Sequence, residues 1–220
     1  MTTESHIDSE PSARACVANA VGGQIKRIFD IVFASVVLLL TLPLFIIVAV
    51  MLKITDPGPV ICKHVRVGLW GRRFTCFKFR TMVVVSENLL KELLDDGSCA
   101  PAEWARSQMH IKDPRITYAG EFLRKSSLDE LPQLINVLRG EMSLVGPRPI
   151  VPSEMSHYGD RLGSYVSARP GLTGAWQISD CGYDRRVELD ANYVSNWRLA
   201  TDLSILARTV SAVIDRKRSY

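Results

Sequence analysis

The sequence predicts an α-rich α+β membrane-associated domain with an N-terminal membrane helix broken by proline, a small β-hairpin and amphipathic interfacial helices. Three observations predict this fold class: an uncharged apolar run from Ile31 to Leu52, two alternating segments within residues 60–82, and an amphipathic helical pattern from Val187 to Ile214. The chain has 220 residues, enough for one compact domain beyond the membrane segment. We expect a disordered polar tail over residues 1–24, a membrane-inserted helix over 25–55 and a cytoplasmic domain over 56–220.

The apolar run from Ile31 to Leu52 is the feature around which the chain is organised. At 1.5 Å per residue it extends roughly 33 Å, about the thickness of a bilayer's hydrocarbon core. It has no polar face, which excludes a surface helix of a soluble domain, and a buried core helix is the remaining alternative. A cleaved signal peptide fits less well, because the run is longer than a usual signal core and follows a mostly polar segment. The sequence therefore predicts a membrane-bound protein.

Pro43 lies at the middle of this run, where its missing N–H and its ring bend or break a helix. The hydroxyl of Thr41 could satisfy a backbone carbonyl freed by the proline, and Asp30 could pair with Arg27 at the interface. Positive residues prefer the cytoplasmic side of a membrane, and a hairpin bent at Pro43 places both basic flanks there. We therefore predict a re-entrant helix, with a mildly kinked single span as the alternative. The flanking cations are Lys26, Arg27, Lys53, Lys63, Arg66, Arg72 and Arg73.

Charge and cysteine content narrow the partners and the compartment. The net charge of +4 suits anionic headgroups or a phosphorylated substrate, whereas a nucleic-acid partner would need a denser basic stripe. The five cysteines are scattered and show neither zinc-ligand spacing nor a disulfide framework. Free thiols in a reducing compartment explain them most simply, which again favours the cytoplasm.

A β-hairpin is predicted from Val60 to Met82, with its turn at residues 68–71. In its second strand Lys78 and Arg80 would share one face, since successive side chains alternate. Two cations at this spacing could hold the phosphates of a nucleotide diphosphate. Spacing alone favours a solvated strand face instead.

The densest group of candidate functional residues is the segment 122–138. Ser127 and Glu130 have the spacing of a capping box, which is the structural interpretation of the acidic residues. Pro132 favours a later helix start near Asp129, because proline is tolerated in a first turn. Asp129 and Glu130, with Arg124 and Lys125 just upstream, suit a magnesium-assisted reaction at phosphorus.

Further elements are predicted on either side of this segment. Helices are expected over residues 86–94 and 101–112, and a helical pattern over 187–214 precedes a basic end at 216–218. That last helix either packs on the domain or lies in the headgroup plane. Prolines on both sides hold Arg148 in an extended backbone, which suits bidentate binding of an anion, and residues 170–174 form another rigid turn.

Together these motifs resemble the bacterial sugar transferases, monotopic polyprenyl-phosphate glycosyl-1-phosphate transferases, and within them the ExoY-type enzymes of exopolysaccharide synthesis. The resemblance extends from Lys26 to about Arg216. The motifs that carry it are Lys26-Arg27 with Asp30, the apolar run with its proline, Asp56-Pro-Gly-Pro59, Lys78-Phe-Arg-Thr-Met82, Asp113-Pro-Arg115, Ser127-Leu-Asp-Glu-Leu-Pro-Gln133, Ser143-Leu-Val-Gly-Pro-Arg-Pro149 and Pro170-Gly-Leu-Thr-Gly174.

The resemblance implies transfer of a hexose-1-phosphate from a UDP-sugar to undecaprenyl phosphate on the cytoplasmic face of the bacterial inner membrane. It implies Asp129 as the nucleophile that forms an aspartyl phosphosugar, Glu130 as its helper, and Mg²⁺ held by both. The phosphates would be bound by Lys78, Arg80, Arg124 and Arg148. Galactose is favoured and glucose comes next.

The expected partners are the UDP-sugar, undecaprenyl phosphate and membrane lipids, with a homodimer left open. Two other functions are weighed against this one. The first is a catalytically silent membrane adaptor of a polysaccharide-assembly complex, and the second is a membrane-anchored phosphohydrolase.

Overall fold

The computed structural model of the protein describes residues 20–83, 115–179 and 183–214. The helices are α1 (Gly23–Thr55), α2 (Tyr118–Lys125), α3 (Gln133–Arg139), α4 (Leu162–Val166), α5 (Tyr183–Ser195) and α6 (Leu199–Ile214). The strands are β1 (Ile61–Val67), β2 (Arg73–Phe79), β3 (Ser143–Val145) and β4 (Gly171–Thr173), and 3-10 helices occupy Leu69–Gly71, Leu128–Glu130 and Pro152–Arg161. The helices predicted over 86–94 and 101–112, the basic end at 216–218 and most of the predicted tail lie outside the described residues.

Helix α1 contains the whole apolar run and continues across Pro43. The predicted break at this proline is not observed as an interruption of the helix. The hydroxyl of Thr41 donates to the carbonyl of Val37 at 2.8 Å, not to the carbonyl of Leu39 that the proline leaves without its helical donor. Such a hydroxyl-to-carbonyl bond one turn back is compatible with a continuous, bent helix. The helix ends as predicted, because Asp56 takes an extended conformation with φ −151°.

The two faces of α1 have different surroundings. Ala34 and Leu52 on the inner face are 0% and 1% exposed and join two separate hydrophobic clusters, one with α3, β3 and α6 and the other with β2 and α2. On the outer face Leu39 and Leu40 are 72% and 74% exposed. By length and composition α1 is a candidate membrane helix. Its outer face is the apolar surface expected of membrane association.

Polar side chains near the start of α1 fix it to the domain. The ammonium of Lys26 lies 2.6 Å from the buried carboxylate of Asp202 in α6. The guanidinium of Arg27 donates to the carbonyls of Val137 and Leu138 in the last turn of α3 at 2.6 and 2.8 Å. Asp30 accepts from the backbone N–H of Leu144 in β3. Arg27 and Asp30 therefore bond to the interior of the domain, and among the described contacts no ion pair joins the two side chains as predicted at the membrane interface.

The predicted hairpin is confirmed. Strands β1 and β2 pair antiparallel, from Ile61 opposite Phe79 to Val67 opposite Arg73. The second strand ends at Phe79, three residues before the predicted end. Met82 instead forms an isolated bridge with Ile116, and this bridge directs the chain toward α2.

A second two-stranded sheet, which the sequence did not predict, lies beneath α1. Strands β3 and β4 pair parallel, with Ser143 opposite Gly171 and Val145 opposite Thr173. A side chain at Gly171 would overlap the backbone of Gly146, so the residue type permits the close approach of the two chains. The two proline-rich segments interpreted as rigid turns are therefore held together by a sheet.

The C-terminal helical pattern forms two helices instead of one. Helix α5 ends at Ser195 and α6 begins at Leu199. Between them Trp197 donates its indole N–H to Asp202 at 3.1 Å, and this contact requires a turn of the chain. In α6, Ile205 is buried at 4% exposure whereas Leu203 and Val210 are exposed at 51% and 60%. The helix thus packs on the domain and also presents an apolar strip outward.

Candidate active site

The acidic residues Asp129 and Glu130 lie in the 3-10 helix between α2 and α3. Ser127 has a left-handed backbone with φ 55° and makes no side-chain cap bond, so the capping-box interpretation is wrong. Helix α3 begins at Gln133 with Pro132 as its N-cap residue, later than the start near Asp129 that the sequence predicted. The two carboxylates are therefore not needed to cap this helix, which leaves them available for chemistry.

Lys78 of β2 brings a cation to the two carboxylates. Its ammonium lies 2.6 Å from Oε1 of Glu130 and 3.8 Å from Oδ2 of Asp129. The side chain of Asp129 is 12% exposed, whereas those of Glu130 and Lys78 are 26% and 28% exposed. Asp129 is thus the more enclosed carboxylate, and Lys78 and Glu130 lie toward solvent.

Burial and the neighbouring charges set the ionisation of this group. Burial raises the pKa of Asp129, Lys78 opposes that change, Glu130 adds to it and Arg124 opposes it. For Lys78, burial acts to lower the pKa, but the charges of Glu130 and Asp129 outweigh burial and the pKa is raised. Lys78 therefore stays charged. The pKa of Asp129 is raised overall, and the charge of Lys78 limits that increase.

Asn136 of α3 holds β2, and with it Lys78, beside the acidic turn. Its side-chain oxygen accepts from the N–H of Phe77 at 3.0 Å, and its amide donates to the carbonyl of Thr75 at 2.7 Å. These are the bonds that a neighbouring strand would make with the edge of β2. Asn136 is fully buried, so its amide replaces a missing strand and fixes the separation between Lys78 and the carboxylates.

Arg124 at the end of α2 supplies a second cation near the acidic pair. Its charge lowers the pKa of Asp129, and its Nε donates to the hydroxyl of Thr81 at 3.0 Å. A side chain at Gly120 would overlap the backbone of Thr81, so glycine permits α2 to pack directly on the chain after β2. Together these contacts orient the guanidinium of Arg124.

The other two predicted phosphate ligands have different neighbours. Arg80 is 3% exposed and its guanidinium donates to the carbonyl of Asp56 at the end of α1. Arg148 stacks over the Trp176 ring at 5.5 Å, and its backbone N–H donates to Asp190 at 3.3 Å. Among the described contacts, neither guanidinium touches the acidic pair.

Sequence reasoning missed Thr81, Asn136 and His64. Asn136 carries a usable signal, because it is a polar residue inside the otherwise apolar segment 134–138 and so calls for a buried partner. His64 lies in β1 opposite Cys76. Burial lowers its pKa, and the charges of Arg66, Lys78 and Arg124 lower it further. His64 is therefore a neutral imidazole that lies in the same electropositive region as Lys78 and Arg124. No pattern in the sequence distinguishes it.

The acidic pair is the candidate metal-binding group of this site. No group of three or more His, Cys, Asp or Glu side chains is assembled within the part of the chain that the structure describes. Mg²⁺ commonly uses one or two carboxylates and completes its shell with waters and substrate phosphates. Asp129 and Glu130 fit that donor set, whereas they would make an incomplete zinc site.

The site lies in a part of the chain that is similar to a known protein family. The bacterial sugar transferase family matches residues 21–216. The chain belongs to this family. It is therefore a transferase, and the resemblance inferred from the motifs is confirmed.

Individual relatives agree with the family match. The undecaprenyl-phosphate galactose phosphotransferase of Salmonella typhimurium is 50% identical over 200 residues, which are 89% of this chain and 42% of that protein. The exopolysaccharide production protein ExoY of Rhizobium meliloti is 46% identical over 203 residues, covering 91% of this chain and 90% of ExoY. The UDP-glucose:undecaprenyl-phosphate glucose-1-phosphate transferase of Caulobacter vibrioides is 37% identical over 206 residues, 89% of this chain and 72% of that enzyme. This sugar transferase thus spans less than half of the Salmonella protein and most of ExoY.

Proposed function

We propose that this sugar transferase moves a hexose-1-phosphate from a UDP-sugar to undecaprenyl phosphate, giving polyprenyl-diphosphate-sugar and UMP as the first step of exopolysaccharide synthesis. The observation that carries the proposal is the ammonium of Lys78 beside the buried Asp129 and the more exposed Glu130, in a chain of this family. The names of the relatives support undecaprenyl phosphate as the acceptor and galactose or glucose as the sugar.

In the first step a carboxylate oxygen of Asp129 attacks the β-phosphorus of the UDP-sugar. A bond forms between that oxygen and phosphorus, and the bond from phosphorus to the oxygen bridging the two phosphates breaks. UMP leaves with the bridging oxygen, and the sugar phosphate stays on Asp129 as an acyl phosphate. The enclosed position of Asp129 suits this role, because a carboxylate with little hydration is a stronger nucleophile once it is ionised.

In the second step a phosphate oxygen of undecaprenyl phosphate attacks the same phosphorus. The phosphorus–carboxylate bond breaks and restores Asp129, and the lipid leaves as the diphosphate sugar. Glu130, which is half-buried and bonded to Lys78, holds this ammonium in place through both steps. The positive charge of Lys78 offsets the charge that accumulates on the transferring phosphoryl group.

The remaining cations differ in how readily they can bind a phosphate of the donor. Arg124 binds phosphate beside Lys78, because its charge already acts on Asp129 and lowers the pKa of that residue. Arg148 binds the distal part of the donor from its place on the Trp176 ring. For Arg80 to contact a phosphate, its guanidinium has to release Asp56, because only 3% of the residue is exposed.

Mg²⁺ is the metal we expect, held by Asp129 and Glu130 together with the donor's phosphates. When bound it neutralises charge on the diphosphate, so that an anionic carboxylate can approach.

The membrane helix enters and leaves on one face in this proposal, and that face is the cytoplasmic one of the inner membrane. Both ends of α1 contact the same folded domain, through Lys26 at the start and Leu52 near the end. These contacts support re-entrance by a continuous helix that bends at Pro43, because both ends then stay on the side of the domain. A cysteine introduced at position 25, where Ile25 is exposed at the start of α1, should resist labelling from the periplasmic side, whereas labelling there would indicate a full span.

The decisive experiment follows UMP release and adduct formation in the full chain reconstituted in nanodiscs. We expect UDP-galactose or UDP-glucose to give UMP and a protein adduct heavier by one hexose phosphate, with the label on Asp129. Asp129→Asn should lose both signals, and the exposed Asp160→Asn should keep them. Absence of an adduct in the wild type would favour the adaptor function, and free sugar phosphate formed without lipid would favour a phosphohydrolase.

A further inference from the structure

A cavity of about 380 Å³ lies between the membrane helix and α6, directly beside the acidic pair. Its walls include Phe33 and Val37 of α1, Leu206 and Val210 of α6, and Leu172 of β4, and Glu130 lies at one end. This volume is within the range of roughly 300–1,000 Å³ that is usual for ligand pockets. A space of this size next to the reacting groups calls for an occupant.

The chemistry of the lining selects the occupant. Aliphatic and aromatic side chains form most of the wall, and Glu130 is the only ionisable residue among those that the structure places on it. A nucleoside or a hexose needs a polar partner for nearly every heteroatom, because an unpaired buried polar group is costly. A branched hydrocarbon needs none. The cavity therefore suits the lipid substrate and not the donor.

The cavity extends from the apolar outer surface of α1 and α6 to Glu130 of the acidic pair. Phe33 and Val210, which line it, are also 42% and 60% exposed, so it reaches the outer apolar surface shared by α1 and α6. At the other end Glu130 is bonded to Lys78, whose ammonium can bind a phosphate. A molecule with a hydrocarbon chain and one terminal phosphate would fill both parts at once.

We propose that this cavity binds the phosphate-proximal isoprene units of the polyprenyl acceptor, which enter from the bilayer between α1 and α6. The inference rests on the proposed function, since it assumes a polyprenyl phosphate acceptor. The hydrocarbon sets the depth to which the chain inserts, and Lys78 receives its phosphate in reach of the phosphosugar on Asp129. Binding energy from the hydrocarbon thus orients the attacking oxygen.

The test fills the cavity and follows the two half-reactions separately. Ala207 and Val210 line the cavity from exposed positions of α6, so Ala207→Trp and Val210→Trp narrow it without disturbing a buried site. Leu203→Trp is the matched control, because Leu203 is an exposed residue of the same helix that does not line the cavity among the described residues. Adduct formation is measured with UDP-sugar alone, and its discharge is measured after undecaprenyl phosphate is added.

We expect each cavity variant to raise the KM for undecaprenyl phosphate about tenfold relative to the control, the effect of losing roughly 1.4 kcal/mol of binding. Adduct formation should fall far less than discharge. Equal losses in both half-reactions, or an unchanged acceptor KM, would overturn the cavity assignment while leaving the proposed function in place.

Crosslinking with a photoreactive polyprenyl phosphate measures binding in the cavity independently of turnover. Labelling of Phe33 or Val210 that undecaprenyl phosphate competes away, and that phosphatidylglycerol does not, supports the assignment. Equal competition by both lipids would make the cavity a general acyl-chain site and overturn it. If the wild type forms no adduct with any UDP-sugar, the proposed function fails, and that result is distinct from every outcome of the labelling.

Discussion

The ammonium of Lys78 lies 3.8 Å from Oδ2 of Asp129, although one residue belongs to a β-strand and the other to a turn beyond α2. This distance is short enough for the lysine to oppose, in part, the burial that raises the pKa of Asp129. Asn136 keeps the two groups at this separation, because it ties β2 to α3. The ionisation of the proposed nucleophile therefore depends on a contact between distant parts of the chain.

The first prediction concerns the acid limb of the pH dependence of kcat/KM for the UDP-sugar, which we assign to ionisation of Asp129. Lys78 lowers the pKa of Asp129 and Glu130 raises it. Lys78→Met should therefore move the limb to higher pH, and Glu130→Gln should move it to lower pH, although both variants lose turnover. Lys125→Met removes a cation from an exposed pair with Glu121 and serves as the control. Shifts in the same direction for the two site variants would contradict the assignment.

The second prediction concerns the amide of Asn136. Asn136→Ala leaves the Phe77 N–H and the Thr75 carbonyl without partners inside the protein, which should cost about 3 kcal/mol of unfolding free energy and lower the melting temperature by roughly 10 °C. Asn196→Ala, at the exposed residue that follows α5, should stay within about 0.5 kcal/mol of wild type. Thermal unfolding in detergent, followed by circular dichroism, measures both variants. A melting temperature equal to that of wild type would show that the amide does not support β2.

The third prediction concerns the buried pair of Lys26 and Asp202. Lys26→Met leaves a fully buried carboxylate without its counter-charge, which should cost about 3–5 kcal/mol. Asp202→Asn in the same background should restore part of that loss, because the uncompensated charge is removed. The two single variants and the double variant, melted side by side, give the coupling energy. Strictly additive losses would indicate that the pair is not coupled.

The fourth prediction follows from Asp190, which is 2% exposed. Burial raises its pKa to about 6 from an ordinary 3.8, against the bonds from Tyr158 and from the N–H of Arg148. The folded state therefore binds the proton more tightly than the unfolded chain, and the stability contributed by the protonated form is complete below about pH 4 and lost as the pH rises through about 6. Asp190→Asn should remove this loss, a gain on the order of 3 kcal/mol relative to wild type once the pH is above about 6.

Melting temperatures of wild type and Asp190→Asn at pH 5 and pH 7.5 check this sign, and the exposed Asp160→Asn serves as the control. A difference between wild type and Asp190→Asn that is the same at both pH values would refute it.

The fifth prediction concerns the metal. Chelation by EDTA should abolish UMP release, and added Mg²⁺ should restore it, because the acidic pair repels the anionic diphosphate unless a metal ion neutralises part of the charge. Ca²⁺ should restore little, since its larger and looser oxygen shell positions phosphates less strictly. Full turnover in excess chelator would remove the metal from the mechanism.

Local signals in the sequence were sufficient for some elements and insufficient for others. The hairpin and the end of α1 at Asp56 follow from alternation and from proline and glycine, which act within a few residues. Alternation predicted that Lys78 and Arg80 share one face of β2, but the two side chains have different partners in the structure. The strand ends at Phe79, and Arg80 turns to Asp56 while Lys78 turns to Glu130, 52 positions away in the chain. Such partners depend on tertiary packing, which periodicity does not describe.

The same reason explains the elements that were missed. Strands β3 and β4 are three residues each, too short to show alternation, and their pairing depends on two glycines that allow close approach. The break between α5 and α6 depends on Trp197 and its bond to Asp202. By contrast, the acidic pair was found because adjacent carboxylates in a motif of the family are visible without any knowledge of the fold.

The inner face of α1 has a practical consequence for anyone who wants this enzyme in solution. Because Ala34 and Leu52 complete two hydrophobic clusters, truncation of the first helix would open the interior and leave an aggregating remnant in place of a soluble fragment. Water solubility would have to come from redesign of the outward side chains, with Leu39, Leu40 and Ile47 replaced by polar residues while the inward ones are kept. The result would be a soluble protein that keeps its fold and has lost only its hold on the bilayer.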